Sequence, residues 1–261
     1  MNIIVCMKQV PDLQQIRIKE RKPVLEGVPL IFGDMDKNAL EEAVRIKEKM
    51  GTGKITVLAL GLAKLKDTVK EALAIGADEA VLLTDPAFAG SDSMATARAL
   101  ARAVQKIGGY DLILCGEGST DNYSGQVGPR LAEILDLPQI TYVRELEVAD
   151  GKVKAVRNME ESFEVVEADL PAVVTVAAEI NTPRLASLKQ ILQAARKPVQ
   201  TWTPADLGLT GDEVGVKGTA VEVLSNLAPE MARKQIIFKG ELDEVIGNLV
   251  DALTKEGVLG R

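Results

Sequence analysis

The strongest constraint on the fold is an alternation, through the first half of the chain, between short apolar runs and amphipathic segments. The apolar runs predict four buried strands: NIIVCM (2–7), KITVLAL (54–60), AVLLT (80–84) and YDLILCG (110–116). A strand that is apolar at nearly every position is covered on both faces, which is typical of a parallel sheet between two helix layers. We therefore expect an α/β fold: a parallel sheet with helices on both faces.

The segments between these strands carry apolar residues at spacings of three and four, which predicts helices. Gly51 and Gly76 stand where the first two helices should end. A fourth helix is predicted over 125–135. The predicted N-cap residues of the first three helices are Asp36, Asp67 and either Ser91 or Asp92.

The pattern changes after residue 138. Alternating residues and tight turns over about 139–168 predict an insertion of antiparallel strands. A further buried strand is predicted at 171–177, and a short helix with a basic end lies within 181–198. These elements complete an expected α/β domain that covers 1–202.

The last segment, 203–261, is predicted to be a C-terminal arm. Its helix, 241–257, has an apolar stripe, but the segment offers little core of its own to cover that stripe. We expect the arm to pack on another subunit; the alternative is an extension of the same domain. The stripe consists of Leu242, Val245, Ile246, Leu249 and Leu253.

Composition excludes several function classes. The chain has 261 residues, a net charge of -7 and no basic footprint for nucleic acid. It has no histidine, which removes Ser-His and Cys-His nucleophile pairs and most zinc sites. Its two cysteines, Cys6 and Cys115, each end an apolar run and are expected to be reduced core residues. With no signal peptide and no membrane-spanning run, we expect a soluble, cytoplasmic protein.

The stretch LILCGEGSTDNYSGQVGPRLAEIL, 112–135, carries the candidate site. Ligands of open parallel sheets bind beyond the carboxyl ends of strands, and this loop follows a predicted strand there. The glycines allow close approach of a ligand to the backbone, and the helix that follows presents free N–H groups suited to phosphate. The small and polar residues of the loop are Gly116, Gly118, Ser119, Thr120, Asn122, Ser124 and Gly125.

Two neighbouring segments should lie beside this loop: Lys8 at the end of the first strand and 33–36 before the first helix. Lys8 is either a phosphate partner or a solvated lysine. Asp121 would repel phosphate, so it either holds N–H groups of the loop or binds a ribose hydroxyl. The spacing matches neither a Walker loop nor GxGxxG, and an ordinary βα loop with capping residues is the alternative. The residues favour a mononucleotide-type pocket without chemistry of its own.

Five stretches, in order along the chain, resemble the β subunit of electron transfer flavoproteins. That resemblance implies an adenine-nucleotide-α-hydrolase-like sheet, and a heterodimer whose α subunit carries a redox-active FAD. The β subunit of this family holds a second adenine nucleotide, either AMP or a second FAD. The stretches are IVCMKQVPD (4–12), DKNALEEAVRIKE (36–48), ALAIGADEAVLLTD (72–85), GQVGPRLAEILDLPQITYV (125–143) and LPAVVTVAAEINTPRLASLKQIL (170–192).

The resemblance also assigns residues. It implies a partner-docking loop at 181–197, with Leu188 as the apolar anchor and with Arg184 and Lys189 beside it. The nucleotide contacts would fall on Cys6, Gly33, Asp34, Met35, Asp36, Leu60, Gly116, Glu117, Gly118, Ser119, Thr120, Asp121, Asn122, Tyr123, Ser124, Gly125, Gln126 and Val127.

Some positions differ from many members of the family. Asn-Pro is common where this chain has Gly33-Asp34, and Gln-Ala-Ile-Asp is common where it has 118–121. Gly128-Pro129 stands where AMP-holding members often have Gly-Gln. Gly-Pro is the pattern of electron-bifurcating members, which favours a second FAD here.

The resulting hypothesis is an electron-carrier subunit that holds a nucleotide and docks a flavin-dependent dehydrogenase, such as an acyl-CoA dehydrogenase. The alternative is a bifurcating flavoprotein subunit whose own FAD oxidises NADH. A third interpretation, a stress-protein-like nucleotide-binding module, is disfavoured by the long segment 139–200.

Overall fold

A computed structural model describes residues 1–229 and 234–259. The predicted parallel strands are present, and each is buried along most of its length. The strands of the main sheet are β1 (Asn2–Pro11), β4 (Leu30–Phe32), β5 (Lys54–Gly61), β6 (Glu79–Thr84), β7 (Leu112–Gly116), β8 (Gln139–Ala149), β9 (Lys152–Asn158), β10 (Phe163–Asp169), β11 (Ala172–Val176) and β12 (Val199–Trp202); β2 (Arg17–Lys19) and β3 (Lys22–Val24) form a separate hairpin.

The strand order of the main sheet is β10-β9-β8-β11-β7-β1-β5-β6-β12, with β4 paired antiparallel to β1. From β8 to β12 every neighbouring pair is parallel. The chain runs outward from β1 through β5 to β6 and then crosses back to β7 on the other side of β1. The point where the strand order reverses therefore lies between β1 and β7, and ligands of open α/β sheets bind at such a point.

Helices cover both faces, as predicted from the apolar strands. Alternate residues of β1 separate the two layers, since Val5 points to one core and Cys6 to the other. The helices are α1 (Asp34–Met50), α2 (Leu65–Ile75), α3 (Ser93–Ile107), α4 (Val127–Leu135), α5 (Leu188–Ala194) and α6 (Leu242–Lys255). The first layer contains α1, α2 and α5, and the second contains α3 and α4.

The helix ends correct two N-cap predictions. Helix α1 begins at Asp34 after Gly33, so Asp36 lies inside its first turn. Helix α2 follows Lys64, which places Asp67 inside the helix as well. Asp92 is the N-cap of α3, as one of the two alternatives proposed. Both wrong assignments follow from reading a carboxylate near a helix start as a cap, when its partners can lie elsewhere in the chain.

The antiparallel insertion is confirmed. Strand β8 pairs parallel with β11 and antiparallel with β9, and β9 pairs with β10. A register shift between Val143 and Glu145 marks the point where β8 leaves the parallel sheet. The insertion therefore extends the same sheet and does not form a separate unit.

The helix expected within 181–198 is shorter in the structure. It begins at Leu188 because Ser187 caps it, with Gln190 completing a capping box. The residues before it form an extended segment on α1, and β12 follows it at the sheet edge.

The predicted arm divides at about residue 220. Leu207, Leu209 and Val214 are buried in the core beside α3 and α4, so 203–220 belongs to the α/β domain. From 221 the described residues leave large apolar side chains exposed, and α6 has no buried residue.

Candidate functional site

A cavity of about 390 Å³ opens at the carboxyl edge of the parallel sheet, between the ends of β1 and β7. This volume falls within the range of roughly 300–1,000 Å³ that is usual for small-molecule sites. Strand β1 and the loops after β5, β6 and β7 all contribute to its lining. It occupies the reversal point of the strand order, where the topology predicts a ligand.

Asp36 fixes the geometry of this edge. Its buried carboxylate accepts hydrogen bonds from the backbone N–H of Lys8 at 2.7 Å and from that of Gly116 at 3.3 Å. It thereby ties the end of β1 to the end of β7 across the mouth of the sheet. Burial raises the pKa of Asp36 to about 7, against the opposing effect of these two backbone donors and of the Lys8 charge.

Glycine is required where the loop approaches α1 and β11. A Cβ on Gly116 would lie 2.6 Å from Oδ1 of Asp36, and one on Gly128 would lie 2.4 Å from Cγ2 of Thr175. Gly116 therefore permits the bond to Asp36, and Gly128 permits close packing of α4 on the sheet.

The loop over 117–125 is closed on itself. The Tyr123 backbone N–H donates to the Ser119 carbonyl at 2.8 Å, and its hydroxyl donates to Oε1 of Glu117 at 2.6 Å. That bond to Glu117 raises the pKa of Tyr123 to about 12. The Tyr123 ring also covers the open side of Gly118. These contacts give the loop a defined shape before any ligand binds.

Lys8 and Asp121 form an ion pair across the cavity mouth. The Lys8 ammonium donates to both carboxylate oxygens of Asp121, at 2.7 and 2.8 Å, and lies 3.4 Å from Oγ of Ser119. Burial opposes ionisation of Asp121, yet its bonds to Lys8 and Ser119 hold the pKa of its carboxyl below the usual value. The charge that would repel a phosphate is thus neutralised by Lys8.

The cavity floor is apolar. Cys6 and Cys115 are register partners on β1 and β7, and both are buried at the floor. A hydrogen bond with Cys6, together with burial, raises the pKa of the Cys115 thiol, so it stays protonated at neutral pH. Leu58, Leu60 and Leu100 extend the floor. Such a surface suits a flat heteroaromatic ring, while polar loops surround the other end of the cavity.

Most of the residues that the resemblance assigned to the nucleotide line the cavity, and the rest stand behind or outside it. Gly33 and Met35 support Lys8 and Gly116 from behind, while Asp34, Thr120, Asp121 and Tyr123 are also outside the lining. The assigned residues in the lining are Cys6, Asp36, Leu60, Gly116, Glu117, Gly118, Ser119, Asn122, Ser124, Gly125, Gln126 and Val127.

One wall was missed by the sequence reasoning. Residues 88–93, in the loop after β6, line the cavity together with Thr96 of α3. Within this segment, the run Gly90-Ser91-Asp92-Ser93 consists of small and polar residues, as the 116–125 loop largely does. Because β6 is parallel to β1, that loop had to emerge at the same edge of the sheet, so strand direction was the signal that could have identified it.

A second group of assigned residues lies on the 181–197 segment. The Arg184 guanidinium binds Glu41 at 2.8 Å and Glu48 at 2.6 Å, both on α1. Asn181 exchanges hydrogen bonds with buried Asn38 of the same helix. Both ion-pair partners of Arg184 therefore belong to this chain, and the ion pairs fix the 181–197 segment to α1.

Beyond Arg184 the segment presents an exposed apolar surface. Leu188 is 74% exposed and Leu185 95% exposed. Ile191 and Leu192 continue the surface on the next turn of α5, with Lys189 exposed between them. A contiguous exposed apolar surface of this kind indicates a contact site for another protein.

Residues 1–229 and 234–259 contain no cluster of three or more side chains suited to a metal ion. None of the helices in these two ranges has both the length and the apolar composition needed to cross a membrane.

Comparisons with known proteins identify the family of the chain. The family described as Electron transfer flavoprotein domain matches residues 24–207. A protein of Thermoanaerobacterium thermosaccharolyticum named electron transfer flavoprotein subunit beta is 44% identical, over 99% of this chain and 100% of its own length. The protein of that name from Clostridium acetobutylicum is 40% identical, over 98% and 99%.

A third relative, from Acetobacterium woodii, is named as a subunit of the caffeyl-CoA reductase-Etf complex; it is 36% identical over 99% of this chain and 100% of its own length. The family match and the full-length relatives leave one assignment: this chain belongs to the electron transfer flavoprotein β-subunit family.

Proposed function

We propose that this chain binds an adenine nucleotide in the cavity between β1 and β7 and acts as the β subunit of a heterodimeric electron carrier. The observation that carries the proposal is the cavity itself: its apolar floor and its glycine-rich polar mouth stand at the reversal point of the sheet. The adenine ring would lie on the floor formed by Cys6, Leu58 and Leu60.

The phosphate end of the nucleotide would lie toward the 116–127 loop. The first turn of α4 there presents backbone N–H groups, and the partial positive charge of a helix N-terminus favours phosphate. Asn122, Ser124 and Gln126 line this side and offer further polar groups. The Asp36 carboxyl group also lines the cavity, but it is already bound to the backbone N–H groups of Lys8 and Gly116.

The redox-active FAD of the carrier would be held mainly by an α subunit. FAD supplies the one- and two-electron chemistry, so this chain contributes binding surfaces and not reacting groups. Exposed apolar residues after 220, including the stripe on α6, are the surface that we assign to the α subunit. A flavin-dependent dehydrogenase, such as an acyl-CoA dehydrogenase, would dock on the surface around Leu188.

A bifurcating subunit with its own FAD is the second candidate. Two observations favour it: Gly128-Pro129 follows the pattern of bifurcating members, and one relative is named as part of a reductase–Etf complex. In that case the residues that line the cavity would hold an FAD, and this cofactor would supply the chemistry for NADH oxidation with transfer of the two electrons to different acceptors.

The direct test is to count nucleotides in the purified heterodimer. Denatured complex is analysed by chromatography for FAD and AMP per pair of subunits. One FAD and one AMP support the simple carrier, and two FAD support the bifurcating subunit. A complex with one FAD and no other adenine nucleotide would contradict nucleotide binding by this chain.

Docking is tested separately with Leu188→Ala. We expect electron transfer from the dehydrogenase to slow on the order of tenfold, since a few buried anchors carry most of the energy of an interface. The matched control is Val165→Ala, which truncates another largely exposed apolar side chain, on β10. Equal rates for Leu188→Ala, Val165→Ala and the wild type would exclude the anchor.

A further inference from the structure

The cavity wall over 88–93 has little apolar packing of its own. Phe88 is buried, but Ala89 and Gly90 are exposed and the next residues are small and polar. A wall of this kind depends on hydrogen bonds for its position. The bonds come from residues 214–220, which we call the strap.

Thr219 is the centre of these bonds. Its hydroxyl oxygen accepts from the Asp92 backbone N–H at 2.9 Å. Its hydroxyl hydrogen is within reach of the carbonyls of Gly90, at 3.1 Å, and Gly215, at 2.9 Å. The hydroxyl thus binds the wall at Asp92 and lies within hydrogen-bond distance of the wall at Gly90.

Two further bonds fix the strap to the wall. The Gly215 backbone N–H donates to Oγ of Ser91 at 2.8 Å, and the Ala220 backbone N–H donates to Oδ2 of Asp92 at 3.1 Å. Val216 lies over Gly90 so closely that a Cβ on this glycine would come within 2.6 Å of Cγ2 of the valine.

Asp92 connects the strap to α3. While Oδ2 binds the strap, Oδ1 accepts from the backbone N–H groups of Met94 and Ala95, at 3.0 and 2.8 Å, as the N-cap of the helix. Burial works against ionisation of Asp92, but the N–H donors of Ala95, Ala220 and Met94 keep the pKa of its carboxyl below the usual value. One carboxylate therefore fixes the helix start, the wall and the strap together.

We propose that Thr219 and Asp92 are positioning residues of the nucleotide site: through them the strap holds the 88–93 wall against the ligand, so that this C-terminal segment determines how long the nucleotide stays bound. This rests on the proposed function, because it requires a nucleotide in the cavity. Neither residue is assigned a step of electron transfer.

The test uses the heterodimer with the nucleotide that copurifies, measured as AMP and as FAD. Three variants are compared with the wild type: Thr219→Val, Thr219→Ser and Asp92→Asn. Retained nucleotide is followed during dialysis to give a dissociation rate, and thermal unfolding is recorded for each complex. Thr219→Val keeps the shape but removes the hydroxyl, and Thr219→Ser restores it. Asp92→Asn keeps an oxygen for the α3 cap but removes the acceptor for Ala220.

We expect nucleotide to leave the Thr219→Val complex on the order of tenfold faster, as the loss of one or two hydrogen bonds implies. Asp92→Asn should give a few-fold increase, and Thr219→Ser should match the wild type. Unfolding temperatures should stay within a few degrees, since Thr219 is half-buried and lies outside the apolar core.

Equal dissociation rates for all four complexes would overturn the positioning role while leaving nucleotide binding intact. The positioning role would also be overturned if nucleotide left the Thr219→Ser complex as fast as it left the Thr219→Val complex. The lost hydroxyl would then not be the cause of the faster dissociation. If the Thr219→Val chain does not assemble with the α subunit, the nucleotide dissociation rate of the Asp92→Asn complex decides. A wild-type complex without nucleotide in this chain would instead refute the proposed function.

Discussion

Helices α3 and α6 are both amphipathic and nearly equal in length, but they differ completely in burial. Helix α3 packs seven residues into the core beside the sheet, including Leu100 and Val104. Helix α6 buries none, and Leu242, Ile246 and Leu249 are exposed. A helical stripe of this size contributes several kcal/mol when it is covered, so the bare stripe on α6 indicates that its cover is another molecule.

The contrast extends to whole regions. Residues 1–220 bury a continuous core on both sides of the sheet, whereas the described residues after 220 expose their apolar side chains. The first region should fold by its own packing. The second should become ordered when it packs on an α subunit. Membership of the family implies such a partner.

The largest difference should come from truncating one leucine in each region. Leu82 of β6 is fully buried, while Leu242 is 72% exposed. We expect Leu82→Ala to lower the free energy of unfolding of the isolated chain by about 2–5 kcal/mol, and Leu242→Ala by less than about 0.5 kcal/mol. Denaturant unfolding followed by the single tryptophan, Trp202, measures both. Equal losses would contradict the division.

A charge on the α6 stripe should damage assembly without damaging the chain. We expect Leu249→Asp to weaken association with the α subunit at least about tenfold, because a desolvated carboxylate at an apolar contact has no partner. Asn248→Asp is the matched control, since it adds the same charge away from the stripe. Sedimentation velocity at several concentrations compares them. Normal assembly of Leu249→Asp would place the α subunit elsewhere.

Within the first region, substitution of Gly116 should impair nucleotide binding. Its substitution by alanine would place a Cβ against Asp36 and Met35, which we expect to displace the β7 loop and reduce bound nucleotide roughly tenfold. Gly211→Ala is the control, because nothing lies within 4 Å of the added atom. Nucleotide released from the two heterodimers decides: full content in Gly116→Ala would place the site elsewhere.

The smallest effect should be a pH dependence from Asp36. Its pKa of about 7 when folded exceeds the ordinary 3.8, so the folded state binds this proton more tightly and stability is lost as pH rises through 7. Between pH 6 and pH 8 this group should remove about 1.4 kcal/mol from the free energy of unfolding. Asp36→Asn should lose that dependence.

The chain has no histidine, which removes the side chains that most often titrate between pH 6 and pH 8. The comparison is denaturant unfolding of the wild type and of Asp36→Asn at both pH values. A parallel response of the two proteins would show that the Asp36 carboxylate does not titrate in this range.

The sequence predicted the architecture because apolar periodicity is local and the strands here are apolar throughout. It did not predict the partners of Asp36, whose hydrogen bonds come from Lys8 and Gly116, 28 and 80 residues away. Asp92 was identified as a cap because a cap is local, but its bond to Ala220 spans 128 residues.

The candidate site was also only partly predictable from the sequence. The 116–127 loop is recognisable because its glycines and polar residues are contiguous. The opposite wall, 88–93, becomes part of the site only through the parallel direction of β6 and the strap that holds it. Arg184 was assigned to docking, and the structure shows its guanidinium bound to Glu41 and Glu48, a pairing that no sequence period reveals.

Amide hydrogen exchange of this chain, alone and in complex with the α subunit, tests the division of the molecule most directly. The measurement compares peptides from α3 and α6 in both states. We expect strong protection of α3 in both states, with α6 unprotected in the isolated chain and protected in the complex. Equal protection of α6 in the two states, whether high or low, would contradict the assignment of the arm to the α subunit.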